Sequence, residues 1–235
     1  MKQALIIAID GPSGVGKSTL SRRLAKKLNY VNIDTGAMYR SVALAAHRAG
    51  IAPDDEASLS ALCLRIEIRF VRQDEMERVL LNGEDVSEAI RTPEISLLSS
   101  RVSAHPVVRR ALVELQRELG RNGGVVLEGR DIGTVVFPGA DVKFFLAASA
   151  AERGRRRWLE LRDKGLDVDL ERTIEEVEAR DAADTQRTHA PLRQAQDAVC
   201  IDTTHLDIDQ VLERMLEVVA QSRLQDVNLK ETPAS

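Results

Sequence analysis

Only two cysteines occur in 235 residues, Cys63 and Cys200, far apart and without metal-ligand spacing. Reduced, buried thiols of a cytoplasmic protein are the expectation. The four histidines are scattered and form no H-x-x-x-H pair, which argues against a zinc site built by the protein alone. Aromatic side chains make up 3% of the chain, too few for a platform on which single-stranded bases would stack. Positive charge is not in excess: the net charge is −4, so a general nucleic-acid binder is disfavoured, while a local cationic pocket stays open. No apolar run approaches the roughly 18 residues of a membrane span. The start, "MKQALIIAID", has a lysine and an apolar stretch, but that stretch is short, meets Asp10 and lacks a small-residue cleavage pattern. A soluble, cytoplasmic monomer with neither a membrane nor a nucleic-acid partner is expected.

Against these scarcities stand five β-rich apolar segments: "ALIIAID" (4–10), "YVNID" (30–34), "GVVLE" (124–128), "VKFFLAA" (142–148) and "AVCID" (198–202). They are continuous rather than alternating, as parallel strands covered on both faces are. Helical patterns separate them at 17–28, 106–120, 150–162 and 207–223; in the last, Val211, Leu212, Met215, Val218 and Val219 recur at helical spacing. The alternation predicts an α/β fold with a five-stranded parallel sheet, whose ligands gather at the strands' carboxyl ends. Residues 50–105 break the rhythm. "RIEIRFV" alternates, and Asn82–Gly83 is a hairpin signal, so a small antiparallel sheet inserted in the core is expected. The charged stretch 152–187 reads as two helices around "RDKGLDVD", poor in core residues, as a lid would be. The resulting partition is a core of 1–34, 106–151 and 188–224, an insertion of 35–105, a lid of 152–187 and a frayed tail of 225–235.

"GPSGVGKS" (11–18) fits G-x-x-x-x-G-K-[ST] between an expected strand and an expected helix, the context that pattern requires. Gly11, Gly14 and Gly16 let the backbone curl so that N–H groups face phosphate oxygens. The remaining loop positions, Pro12, Ser13 and Val15, and Thr19 at the helix start complete a nucleoside triphosphate site, with ATP the expected ligand. Lys17 brings a point charge to the outer phosphates, and the Ser18 hydroxyl can join a Mg²⁺ shell. No N-K-x-D run is present to read guanine, so a GTPase switch is disfavoured.

Arginines and hydroxyls cluster in four further places. "VNIDTGAMYR" sets Thr35, Tyr39 and Arg40 at a helix start, where free N–H groups attract anions. "SSRVSAHPVVRRAL" offers Ser100 and Arg109 across a proline break. "EGRDIGTVVFPGA" brings Arg130 and Asp131 out at the ligand-binding end of the third core strand. "AAERGRRRW" and "EARDAADTQRTHAPL" place Arg153, Arg156 and Arg157, then Arg180, Asp184 and Arg187, on single helix faces. Each has a plain alternative: a helix cap, a solvated face, a surface ion pair or a structural turn.

Taken in order, "IDGPSGVGKS", "IDTGAMYR", "EGRDIGTVVFP" and "RD…R…APL" resemble the bacterial cytidylate (CMP/dCMP) kinases of the nucleoside monophosphate kinase fold. The resemblance covers nearly the whole chain, including an insertion similar to that family's enlarged monophosphate-binding domain. It implies that Lys17 and the loop amides hold the ATP phosphates and that Arg153 and Arg157 close on the transferring phosphoryl group. Thr35, Arg40, Arg130 and Arg187 would surround the phosphate of CMP or dCMP. Ser100, Arg109 and Asp131 would read cytosine, and Arg180 with Asp184 would contact the ribose. Thr35 and Glu128 stand where Ser and Asp are also common in the family, and both keep the chemistry.

Elementary chemistry agrees. A phosphate monoester has a second pKa near 6, so the acceptor oxygen is largely anionic at neutral pH and needs no general base. The task is to bring two polyanions together, which calls for arginine forks. An Asp131 carboxylate can accept from the cytosine amino group but would face an oxygen of uracil, so CMP is expected over UMP. Two rivals remain at this point: a P-loop kinase of a metabolite hydroxyl with Asp34 as base, and a regulatory ATP-binding protein.

Overall fold

The computed structural model describes residues 4–73 and 76–231. The chain divides into two compact units, one of residues 1–32 with 122–235 and one of 33–121.

The first unit is built on a five-stranded sheet. β1 (Ile6–Asp10) lies at its centre, with β2 (Val31–Asp34), β6 (Val125–Gly129), β7 (Val142–Ala147) and β8 (Val199–Asp202) in the order β2-β6-β1-β7-β8. β1 runs parallel to β6 and to β7, and β7 runs parallel to β8. The central strands are buried on both faces, which is why they read as unbroken apolar runs: all five residues of β6 are buried. One face carries Ile7, Ile9, Val126, Phe144, Leu146 and Ile201 against α1 (Lys17–Leu28) and α8 (Ile208–Glu231). Val211, Leu212, Met215 and Val219 of α8 are all buried there. Full burial of such side chains stabilises by about 1.5–3 kcal/mol each before the entropy of ordering is set against it.

Two sequence expectations are corrected here. β8 is an edge strand, so only Ile201 of its four residues is buried, and Cys200 is exposed rather than buried. Cys63, at the end of α3 (Glu56–Cys63), is half-buried, and burial pushes its thiol up. In addition, α8 does not stop at 223 but continues to Glu231, because "RLQDVNLKE" holds no Gly or Pro to end it. Of the tail expected to fray, residues 232–235 lie outside the described residues.

Chain connections explain where ligands should gather. From β1 the chain crosses to β2 on one side, whereas β7 leads to β8 on the other. The carboxyl ends of β1 and β7 therefore mark the switch point of the sheet. α6 (Ala150–Asp163) and α7 (Leu170–Gln186) form the hairpin that follows β7. Gly165 takes the left-handed conformation just past the end of α6, and Asp169 caps α7 by accepting from the Arg172 amide at 2.8 Å.

The second unit holds α2 (Thr35–Arg48), α3, a three-stranded antiparallel sheet of β3 (Ile68–Gln73), β4 (Met76–Leu81) and β5 (Glu84–Asp85), then α4 (Pro93–Val102) and α5 (Pro106–Gly120). Asn82 and Gly83 join β4 to β5 with φ of 51° and 86°, the conformation that pairs of this kind adopt in tight hairpins.

Candidate active site

The loop between β1 and α1 is shaped by its glycines. Gly11 and Gly14 have φ of 151° and 74°. A Cβ on them would lie 2.4 Å from the Leu146 carbonyl oxygen and 2.8 Å from that of Arg153. Gly16 stands at the N-cap of α1 without a side-chain cap, which leaves the helix amides and their dipole to an anionic ligand. Val15 anchors the loop in the core, whereas Ser18 and Thr19 are exposed on the first turn of α1. The Lys17 ammonium folds back over the loop and donates to the carbonyls of Gly11 at 2.8 Å and Pro12 at 2.7 Å. Burial pushes this lysine well below its ordinary range, with Arg130 and Arg180 adding to the effect and Glu128 and Asp10 opposing it. Glu128, buried at the end of β6, accepts from the Ser18 hydroxyl at 2.9 Å and from Ser21 at 3.4 Å.

Beside this loop a cation cluster is built around one carboxylate. Asp184 of α7, with only 2% of its side chain exposed, accepts from Arg130 Nε at 2.7 Å and pairs with Arg187. Burial raises its pKa, but the fields of Arg130, Arg187 and Arg180 outweigh that and hold the carboxyl below its usual range. Three guanidinium groups around one carboxylate leave an excess of positive charge, with Lys17 close enough to feel two of the three. Such an excess raises the local concentration of anions and suits a phosphate ester. Sequence reasoning named Asp184 but missed that it gathers these arginines.

The α6 arginines split up. Arg153 is buried; it donates to Ala148 O and Ser13 O, each at 3.0 Å, and pairs with Asp181. Asp181 in turn accepts from the Ser13 amide at 3.1 Å, which fastens α7 to the phosphate loop. Arg156 donates to the carbonyl of Thr203 at 2.6 Å and to its hydroxyl at 3.0 Å. Arg157 pairs with Glu160 at 2.8 Å and is not brought to the loop. Asp181 had no role in the sequence reading, and Glu128 entered it only as a position where the resembled family also carries Asp, without its bond to Ser18. The available signal was an acid three residues before Asp184 on the same helix face, and an acid ending an otherwise apolar strand.

Asp131 is buried and precedes a π-helical turn, Ile132–Val136. Its carbonyl accepts from the amides of Val135 at 2.9 Å and Val136 at 3.2 Å.

In the second unit, α2 is capped by Asp34 rather than Thr35. The Asp34 carboxylate accepts from the Ala37 amide at 2.8 Å and binds Arg40 at 2.9 Å. Gly36 makes room for this pair, since a Cβ there would lie 2.9 Å from Arg40 Nη1 and 3.0 Å from Asp34 Oδ1. Both Asp34 oxygens are thus committed to structure, which disfavours the carboxylate as a base on a substrate alcohol. Thr35 is buried in the first turn, and the buried Nε of Arg40 has no hydrogen-bond partner among the described residues. The Arg109 guanidinium is buried against the Tyr39 ring, 5.7 Å from its centroid, so Tyr39 supports an arginine. Ser100 is half-buried on α4, where its carbonyl accepts from the Ser103 hydroxyl at 3.0 Å.

Compared with known families, residues 7–221 match the model of the cytidylate kinases. The chain belongs to the cytidylate kinase family. Among relatives of this family member, the cytidylate kinase of Syntrophotalea carbinolica is 77% identical over 94% of either chain. That of Geobacter sulfurreducens is 61% identical, again over 94% of each. Among solved structures, a gluconokinase from Sinorhizobium meliloti aligns with a TM-score of 0.50 at 13% identity, covering 99% of this chain and 100% of its own. At that identity the likeness speaks for the fold alone. No helix among the described residues is long and apolar enough to cross a membrane.

Proposed function

We propose that this cytidylate kinase family member transfers the γ-phosphoryl group of ATP to CMP or dCMP, giving ADP and CDP or dCDP. The observation that carries the reading is the gathering of Arg130, Arg180 and Arg187 on Asp184 beside Lys17 and the glycine loop. In this reading residues 11–19 hold the ATP phosphates through their backbone N–H groups, Pro12 having none to give, together with Lys17, and Arg153, anchored on Ser13, walls the site. Arg157 turns from Glu160 to the transferring group. Thr35, Arg40, Arg130 and Arg187 hold the acceptor phosphate. Arg180 with Asp184 meets the ribose, and Ser100, Arg109 and Asp131 select cytosine, with Tyr39 supporting Arg109. Residues 35–105 act as the acceptor-binding insertion, and 152–187 as the lid that shields the phosphates from water.

The oxygen donors next to Lys17 suit Mg²⁺. The Ser18 hydroxyl donates to Glu128, which leaves its lone pairs for a hard cation that is otherwise held by nucleotide phosphates and water. When bound, the ion neutralises charge on the transferring phosphates. The chain's own residues do the rest: arginines fix both nucleotides in line and stabilise the charge of the transferring group, and no side chain removes a proton. Substituting Arg130→Ala is expected to raise the KM for CMP by about 100-fold, the loss of charge-assisted hydrogen bonds to one phosphate, and to leave the KM for ATP within about threefold. Equal rises in both KM values would contradict the assignment.

A further inference from the structure

Asp10 is a buried carboxylate that the transfer chemistry does not use. It ends β1 with 4% of its surface exposed, and its two oxygens accept from two consecutive amides, Ile132 at 2.8 Å and Gly133 at 2.7 Å. These are the two residues directly after Asp131. The turn they begin is π-helical, an unusual conformation that needs support from outside, and Phe137 closes it by donating to Ile132 O at 2.7 Å. Glycine at 133 permits the approach, because a Cβ there would meet Lys143 Cδ at 3.1 Å and Asp10 Oδ2 at 3.4 Å.

A carboxylate is an expensive choice for this position. Burial opposes its charge, two amide bonds only partly compensate, and Asp131 lies near enough to repel it. Two converging N–H groups nevertheless require two acceptors at once. An amide side chain would turn an NH₂ toward one of them, and a hydroxyl would reach only one. What the geometry preserves is therefore the orientation of the Asp131 turn.

We propose that Asp10 is a positioning residue for base selection, holding the Ile132 and Gly133 amides so that the Asp131 carboxylate is aimed at the cytosine amino group. The inference rests on the assignment of Asp131 as a base reader. Because Asp10 directly precedes Gly11, the same strand end fixes the phosphate loop on one side and the base-reading turn on the other.

The test is kcat/KM for CMP and for UMP in the full-length Asp10→Asn protein, with Asp131→Asn and Gly133→Ala alongside. Asp10→Asn is expected to lower the CMP/UMP ratio about tenfold, mainly through KM for CMP, with KM for ATP within about twofold. Gly133→Ala, which crowds the same contact, is expected to shift the ratio in the same direction and keeps the question answerable should Asp10→Asn fold poorly. A ratio changed by Asp131→Asn but by neither of the other two overturns the inference alone. A ratio unmoved by Asp131→Asn overturns the base assignment, and the inference with it. Parallel rises in the ATP and CMP KM values of Asp10→Asn would mark a loop defect and also refute the positioning role.

Discussion

Charge at single residues decides how the chemistry is read. A metabolite-alcohol kinase would need a carboxylate free to take a proton, whereas Asp34 caps α2 and holds Arg40. Asp34→Asn is therefore expected to lower CMP-dependent kcat by less than about tenfold, short of the 10²–10⁴ that a lost general base removes. Steady-state kinetics with saturating ATP would show it; a loss of 10³ would restore the base. Asp10 supplies a pH test. Its pKa is raised from 3.8 to about 6 by burial, with the Asp131 charge adding and the Gly133 and Ile132 amides and Lys17 opposing. Between these values the folded chain keeps a proton that the unfolded chain has lost. Stability from this group thus falls as pH rises through that window, by about 3 kcal/mol in all. Asp10→Asn does not titrate, so its Tm relative to the parent is expected to be higher at pH 8 than at pH 4.5. Equal differences at the two pH values would show that Asp10 keeps its ordinary pKa.

Among the secondary-structure elements, the α6–α7 hairpin is the most exacting. A Cβ at Gly154 would lie 2.3 Å from Ile174 Cγ1 and 2.8 Å from Ile174 Cα, and a backbone atom cannot rotate aside. Gly154→Ala is expected to part the helices and destabilise by about 1–3 kcal/mol, with a loss of activity because Arg153 and Asp181 ride on them. Thermal unfolding would measure it, and an unchanged Tm would contradict the close apposition of α6 and α7. The strands and helices of the first unit were legible because burial on both faces leaves continuous apolar runs, and the glycine loop because its backbone demands are severe. The exposure of β8 was not legible, since "AVCID" is as apolar as a central strand and only its place at the sheet edge uncovers Cys200. The cap of α2 was legible only as a helix start near Thr35, because Asp34 and Thr35 are both good caps; in the fold the Asp34 carboxylate takes the Ala37 amide and holds Arg40. Asp181 escaped notice, and so did the bond between Glu128 and Ser18, because the partners in each pair are distant in sequence; only the fold brings them together.

For the molecule as a whole, a net charge of −4 coexists with a local excess of arginine around Asp184. The surplus is concentrated where a phosphate ester would bind, so a chain that repels polyanions on average can still collect small ones. On the proposed function the acceptor's own phosphate, not a hydroxyl, receives the transferred group, and cytosine is the preferred base. The direct measurement is ADP formation from ATP and Mg²⁺ with CMP, dCMP, UMP and cytidine in turn, with products separated by chromatography. Rapid formation of CDP and dCDP is expected, with UMP slower by at least about tenfold in kcat/KM and no CMP formed from cytidine. Phosphorylation of cytidine, or ADP formation indifferent to the added monophosphate, would contradict it.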